Sequence, residues 1–348
     1  MQSLCDHDVD SLAKQFADWG FKPIQAGKLL RAFYDGDGAI DWQELRLGRQ
    51  LQAKIEAEIK IRLSHLFTTR ISVDGTSKFL LAFDRGGAVE CVLMPAYDPI
   101  RAAGCVSSQI GCAMGCDFCA STKSGFERNL EAGEIVEQFL TLRRHAAACG
   151  RRLSTLVFMG MGEPMHNLDN VIAAVRRIAS PEMGNLGFRN ITISTVGIIP
   201  GIEQLADADL NVHLALSLHA PDDATRSRIV PTGRKFTVRE IVAAAKRFQE
   251  RTGRVVNIEY CLLEGVNDSD EQANALADLM DGFRAHVNLI PYNPIGPGLS
   301  GTSYRTPPPA KISAFGAILR ARGVVAHIRR TRGDDVSAAC GQLREMMA

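Results

Sequence analysis

The sequence predicts an α/β protein in which a parallel sheet with helices outside it follows a small helical domain and a short antiparallel β extension. Three observations carry this: a helical apolar period near the N-terminus, a switch to alternation at Thr69, and short β-rich runs alternating with helical stretches after Tyr97. The chain has 348 residues, 46% hydrophobic and 23% charged, which suits one large enzyme domain with an appendage and excludes disorder, collagen and coiled coil.

The N-terminal segment holds both tryptophans, Trp19 and Trp42. Leu12, Phe16 and Trp19 share one helical face, Ala26, Leu29, Leu30 and Phe33 a second, Ile55 and Ile59 a third, and Gly36-Asp37-Gly38 interrupts the pattern. Residues 1–66 therefore read as a helical accessory domain. In 67–98, Thr69, Ile71 and Val73 alternate with polar neighbours, Asp74-Gly75 signals a tight turn, and the runs 79–83 and 89–94 complete a few antiparallel strands. Six strands are then expected at 104–107, 153–159, 190–195, 212–218, 255–262 and 287–291, with helices at 131–148, 168–178, 238–251, 270–281 and 309–321. Thr237 with Glu240 and Ser269 with Gln272 have capping-box spacing and mark two helix starts. An open doubly wound sheet and a partial barrel both satisfy this series.

With 40 Lys+Arg against 39 Asp+Glu the formal charge is +1, so overall charge names no partner. The cysteines are more informative. There are nine, and Cys112, Cys116 and Cys119 crowd into one short loop, which is not a disulfide framework. The first ten residues are acidic and lack a signal-like segment, and no run of about 18 apolar residues is present. A cytoplasmic location without membrane contact is expected, where clustered thiols usually serve metal or catalysis.

The loop Gly111-Cys112-Ala113-Met114-Gly115-Cys116-Asp117-Phe118-Cys119 follows the first strand of the series, at the carboxyl end of the sheet where α/β folds bind ligands. Three thiolates there suit an iron–sulfur cluster with one iron left open. The competing reading is structural zinc with Cys105 or a histidine as fourth ligand, although zinc sites usually come as paired C-x-x-C units. After the second strand, MGMGEP (159–164) offers two glycines of a dinucleotide loop, but Met165 stands where the third would be.

The C-x-x-x-C-x-φ-C spacing resembles the signature of radical S-adenosylmethionine (SAM) enzymes. Further blocks narrow the resemblance to the RlmN/Cfr family of RNA adenine methyltransferases: CVSSQIGC (105–112), MGMGEP, ISTVG (193–197), SLHA (217–220), GVND (265–268), IPYN (290–293) and RGDDVSAACGQL (332–343). The resemblance implies a partial (β/α)6 barrel over 99–348 that ends in a methyl-carrying segment. It implies a [4Fe-4S] cluster on Cys112, Cys116 and Cys119, and SAM held by Gly162, Glu163, Ser194, Ser217, Leu218, His219 and Asn293. In the same way it implies that Cys340 carries a methyl group, that Cys105 releases the product through a transient Cys105–Cys340 disulfide, and that Glu90 removes the ring proton. Taken alone, Glu90 reads as an edge-strand carboxylate facing water, Ser217 as a capping serine and His219 as a satisfied core histidine. The implied substrate is an adenine of 23S rRNA, with tRNA as a second substrate, a flavodoxin with its reductase as electron donor, and a chain acting as a monomer. Pro164 and the block Arg330-Thr331-Arg332-Gly333-Asp334-Asp335 resemble the carbon-2 enzymes, whereas 194–201 is similar to the carbon-8 branch.

RNA binding then rests on charge distribution. Arg320, Arg322, Arg329, Arg330 and Arg332 form a run without acids just before Cys340, and Arg143-Arg144, Arg151-Arg152 and Arg176-Arg177 add pairs. Cys5, Cys91, Cys149 and Cys261 are expected to be buried small hydrophobes.

Overall fold

The N-terminal helices bury the faces that their apolar period defines. After the two-residue strand β1 (Gln2–Ser3), α1 (Val9–Asp18) buries Leu12 and Phe16, and α2 (Gln25–Asp35) buries Ala26, Leu29, Leu30 and Phe33. The Asp8 carboxylate caps α1 by accepting from the Ser11 amide at 2.8 Å. The short α3 (Trp42–Leu45) and α4 (Arg49–Glu58) follow, and β2 (Ile59–Lys60) pairs in parallel with β1. This computed structural model describes residues 2–343.

Strands β3 (Ser64–Ile71), β4 (Ser77–Phe83) and β5 (Ala88–Pro95) form the antiparallel extension. β5 pairs antiparallel with β6 (Arg101–Cys105), Val92 opposite Cys105, so the extension continues directly into the main sheet. After β6 come the hairpin β7 (Gln109–Gly111) and β8 (Phe126–Asn129) and the long helix α5 (Ala132–Ala148). Glu137 of α5 anchors the start of the extension: its carboxylate oxygens accept from the Leu63 and Ser64 amides at 2.8 and 2.7 Å.

From β6 onward the wall is parallel. It runs through β9 (Arg152–Phe158), β10 (Ile191–Thr195), β11 (His213–Ser217), β12 (Val256–Leu262), β13 (Ala285–Pro291) and β14 (Val325–Ile328), each beside its predecessor. Strands that follow one another around a wall whose two edges do not pair make a partial barrel rather than a doubly wound sheet. β10 is buried along its whole length, as a parallel strand covered on both faces must be. Outside lie α6 (Leu168–Ala179), α7 (Ile199–Asp207), α8 (Asp223–Ile229), α9 (Val238–Thr252), α10 (Asp270–Leu279) and α11 (Pro309–Ala321). Both expected capping boxes are present, at the starts of α9 and α10.

The sequence reading missed α7, α8, the β7–β8 hairpin and the seventh parallel strand, β14. Pro200 in the first turn of α7 looks like a breaker but is tolerated there, and β14 lies inside the arginine run. None of the described helices is long and apolar enough to cross a membrane.

Candidate active site

The cysteine loop hangs between β7 and β8 at the carboxyl end of β6. Gly111 takes φ +71°, and a Cβ on it would collide with the Gly125 carbonyl, which itself accepts from the Cys112 amide at 2.8 Å. Within the loop the Cys119 amide donates to the Cys116 carbonyl at 3.0 Å, and the Asp117 amide donates to the Ile229 carbonyl at 2.9 Å, tying the loop to the end of α8. Burial pushes the Cys112 thiol up to about 12, with Cys119 adding to the rise. Burial likewise raises Cys116 well above its ordinary value, helped by Cys119 and Cys112. Burial raises Cys119 as well, and thiols held protonated in this way are what a bound cation would draw off as thiolates.

Arg226 tests whether an iron–sulfur cluster fits. It is 2% exposed, its Nε donates to the Leu218 carbonyl at 3.1 Å and its Nη2 to the Val196 carbonyl. Its Nη1 is buried and has no hydrogen-bond partner among the described residues. A buried guanidinium whose charge favours the Cys116 thiolate suits a centre that turns anionic when its three cysteines ionise. Among the described residues no three His, Cys, Asp or Glu side chains form a group able to hold a metal ion, which bears equally on a cluster and on zinc. His219 uses Nδ1 to accept from the Cys261 amide at 3.0 Å.

The expected SAM residues line the ends of successive strands. Gly162 takes φ +100°, where a Cβ would press on Gln109 at 2.6 Å. Gln109 Oε1 in turn accepts from the Glu163 amide at 2.8 Å. Glu163 is 2% exposed and its carboxylate braces two loops, accepting from the Met165 amide at 3.0 Å and the Val196 amide at 2.9 Å. Burial raises its carboxyl to about 6 against the pull of those amides. Ser194 and Ser217 stand with their hydroxyls 3.2 Å apart on neighbouring strands, so Ser217 does not act as a helix cap. His219 adopts a left-handed φ of +60° after the fully buried Leu218. Burial and then Arg226 depress its imidazole to about 3, so the ring is neutral. The ring of Phe118, from the cysteine loop, packs edge-on 4.8 Å away.

The C-terminal segment returns across this same end. Asn293 donates from Nδ2 to the Cys340 carbonyl at 3.2 Å, and its Oδ1 accepts from the Thr331 hydroxyl at 3.0 Å. The Ala120 amide donates to the Gly341 carbonyl and the Ser121 hydroxyl to the Leu343 carbonyl, both at 2.7 Å. Cys340 is exposed, whereas Cys105 is buried and its thiol is raised to about 12 by burial and by the nearness of Cys340. Desolvation also raises Cys340, with Glu259 adding and Arg329 opposing. The disulfide implied for this pair is not formed. All nine cysteines are free, and Cys340 is pinned through its own carbonyl to Asn293.

Glu90 does not face water at a sheet edge. β5 is an interior strand, and Glu90 is 5% exposed and paired with Lys78 Nζ at 2.8 Å. Sequence reading missed Lys78, Arg226 and Gln109, because a polar residue beside an apolar run gives no sign of a partner distant in sequence.

The arginine run divides. Arg322 pairs with Asp278 at 2.6 Å and Arg320 reaches the Ala326 carbonyl at 3.4 Å, so both serve local structure. Arg329 and Arg330 remain exposed and Arg332 half-buried. Arg143 is also structural, donating to Asp37, the Tyr34 carbonyl and the Gly184 carbonyl. Cys5, Cys91 and Cys261 are buried as expected, but Cys149, at the C-terminal cap of α5, is exposed.

A sequence model of the Radical SAM superfamily matches residues 106–277. Over 346 residues the chain is 53% identical to a protein of Opitutus terrae named probable dual-specificity RNA methyltransferase RlmN 1, covering 98% of this chain and 96% of that one. It is 42% identical to the probable dual-specificity RNA methyltransferase RlmN of Thermotoga neapolitana, covering 99% and 98%. Among solved structures, a radical SAM methyltransferase from Sphaerobacter thermophilus superposes with a TM-score of 0.93 at 40% identity, covering 99% of each chain.

Proposed function

The chain belongs to the RlmN family of radical SAM RNA methyltransferases, and from that premise we propose that it methylates carbon 2 of an adenine in 23S rRNA, and of tRNA, through a methyl group carried on Cys340. Adenine carbon 2 is not nucleophilic, so displacement on a methyl donor does not suffice and the carbon must arrive as a radical. When bound, the [4Fe-4S] cluster and SAM supply the methyl group, one-electron reduction and radical initiation.

The chain's own residues do the rest. Cys112, Cys116 and Cys119 hold the cluster, with the Arg226 charge beside them. Gly162 lets the backbone approach SAM closely, and Glu163, Ser194, Ser217, Leu218, His219 and Asn293 surround it. Cys340 accepts the methyl group as a thiolate. Glu90 takes the proton from the ring carbon. Cys105, as its thiolate, then attacks the Cys340 sulfur: a sulfur–sulfur bond forms, the sulfur–carbon bond breaks with its electron pair passing to the base-bound carbon, and that carbon takes a proton to become the methyl group. The target base leaves its stack to reach these groups, and Arg329, Arg330 and Arg332 meet the RNA backbone. A flavodoxin and its reductase supply electrons to a monomer in the cytoplasm.

The observation that carries this reading is the return of the C-terminal segment to the cysteine loop, with the Ala120 amide on the Gly341 carbonyl at 2.7 Å, one residue from Cys340. The test is turnover of unmodified 23S rRNA with SAM and a reductant, followed by digestion and liquid chromatography. The expected product is 2-methyladenosine. A digest containing only 8-methyladenosine overturns the carbon-2 assignment, and one with no methylated adenine overturns the substrate.

A further inference from the structure

Strand β4 is buried along its whole length, so Lys78 places an ammonium among apolar neighbours at 8% exposure. A buried ammonium is costly unless partners satisfy it, and this one has two. In the β4–β5 ladder Lys78 stands opposite Val92, and Glu90, two residues along β5, lies on the same face of the sheet. Lys78 Nζ meets Glu90 Oε1 at 2.8 Å and also donates to the Ser337 carbonyl at 3.1 Å. Ser337, three residues before Cys340, is held at a left-handed φ of +53°, a conformation that persists only where the surroundings fix it. The turn that leads from β3 into β4 grips this segment twice more: the Gly333 amide donates to Asp74 at 3.2 Å, and the Val73 amide to Asp335 at 3.1 Å. Lys78 and Glu90 open onto a cavity of about 360 Å³, which Arg70, Lys123, Ser337 and Gln342 also line.

We propose that Lys78 is a positioning residue that holds the Glu90 carboxylate toward this cavity and ties its orientation to the docked segment carrying Cys340. The base is then set in place only when the methyl carrier is in place. The inference rests on Glu90 being the group that takes the ring proton, and the experiment separates the two ideas.

Full-length Lys78→Met, Lys78→Gln, Lys78→Arg and Glu90→Gln proteins are compared in the holoenzyme by two readouts: mass spectrometry of the methyl group on Cys340, which does not need Glu90, and the pH dependence of RNA methylation. Lys78→Met and Lys78→Gln are expected to keep Cys340 methylated while RNA methylation slows by roughly 10- to 100-fold, part of what a positioned general base contributes. The acid limb of their pH profile should move to higher pH, because a carboxylate that loses an adjacent cation is harder to ionise. Lys78→Arg should restore much of the rate. Wild-type rate and profile in both neutral variants overturn the proposal, as does loss of Cys340 methylation together with RNA methylation, which makes Lys78 merely structural. If Lys78→Met does not fold, Lys78→Gln, which keeps a donor for the Ser337 carbonyl, decides. A Glu90→Gln enzyme with wild-type turnover overturns the base assignment itself, and Lys78 falls with it. An inactive Glu90→Gln beside unaffected Lys78 variants removes only Lys78.

Discussion

Two sets of cysteines meet at one end of the sheet and are assembled in opposite ways. Cys112, Cys116 and Cys119 come from a single loop, shaped by the Gly111 backbone and bonds such as Cys119 to Cys116 and then tied down by distant partners such as Ile229. Cys105 and Cys340 come from the first parallel strand and from the last described segment, and they meet only because the whole wall folds between them and because Asn293, Ala120 and Ser121 hold the returning chain. A cysteine cluster can therefore be recognised from a short stretch of sequence, whereas the nearness of Cys105 and Cys340 is a property of the complete fold.

That contrast can be broken or sharpened experimentally. The largest effect is expected in the loop: Cys116→Ala should lose bound iron and RNA methylation together, both to background, by iron analysis and product chromatography. Cys340→Ala should abolish RNA methylation equally but retain its iron. If it lost the metal as well, the two sets would be one unit. Cys105→Ala should still methylate Cys340 yet fail to release product, leaving RNA covalently attached to protein as a retarded band on a denaturing gel.

Smaller effects test the surroundings. Replacing Arg329, Arg330 and Arg332 together by Gln should lower the slope of log affinity against log salt by about 2 to 3, as the removal of three arginine–phosphate pairings requires. Arg322→Ala, which removes an exposed pair with Asp278 and an exposed hydrogen bond to Asn274 Oδ1, should change stability by less than about 0.5 kcal/mol and RNA affinity not at all. Between these lies His219. Its imidazole stays neutral in the fold down to about 3, while in the unfolded chain it takes up a proton near 6.5. Stability is therefore intact above about pH 6.5 and declines on acidification, by roughly 2 kcal/mol at pH 5. His219→Asn should flatten that part of the curve, measured by denaturant unfolding at the two pH values.

Much of the fold was legible because strands such as β10 (ITIST) and β12 (VNIEYCL) place β-branched, aromatic and other apolar residues at alternate positions, and the capping boxes at Thr237 and Ser269 announce their helices. α8 was not, since seven largely polar residues give too little periodicity, and its buried Arg226 looks from the sequence like any surface arginine. At the site, spacing revealed the three loop cysteines, while Cys105, Cys340 and Glu90 emerged only through a family likeness. Lys78 escaped because nothing next to it in sequence anticipates Glu90 or Ser337, both of which reach it through the sheet and the returning segment.

The bonds from Ala120 and Ser121 to Gly341 and Leu343 join the end of the cysteine loop directly to the segment that carries Cys340. Order in one is therefore thermodynamically linked to order in the other, and the linkage is reciprocal. Whatever tightens the cysteine loop favours a docked C-terminal segment, and under the roles proposed for Cys116 and Cys340 the metal centre and the methyl carrier would favour one another in the same way.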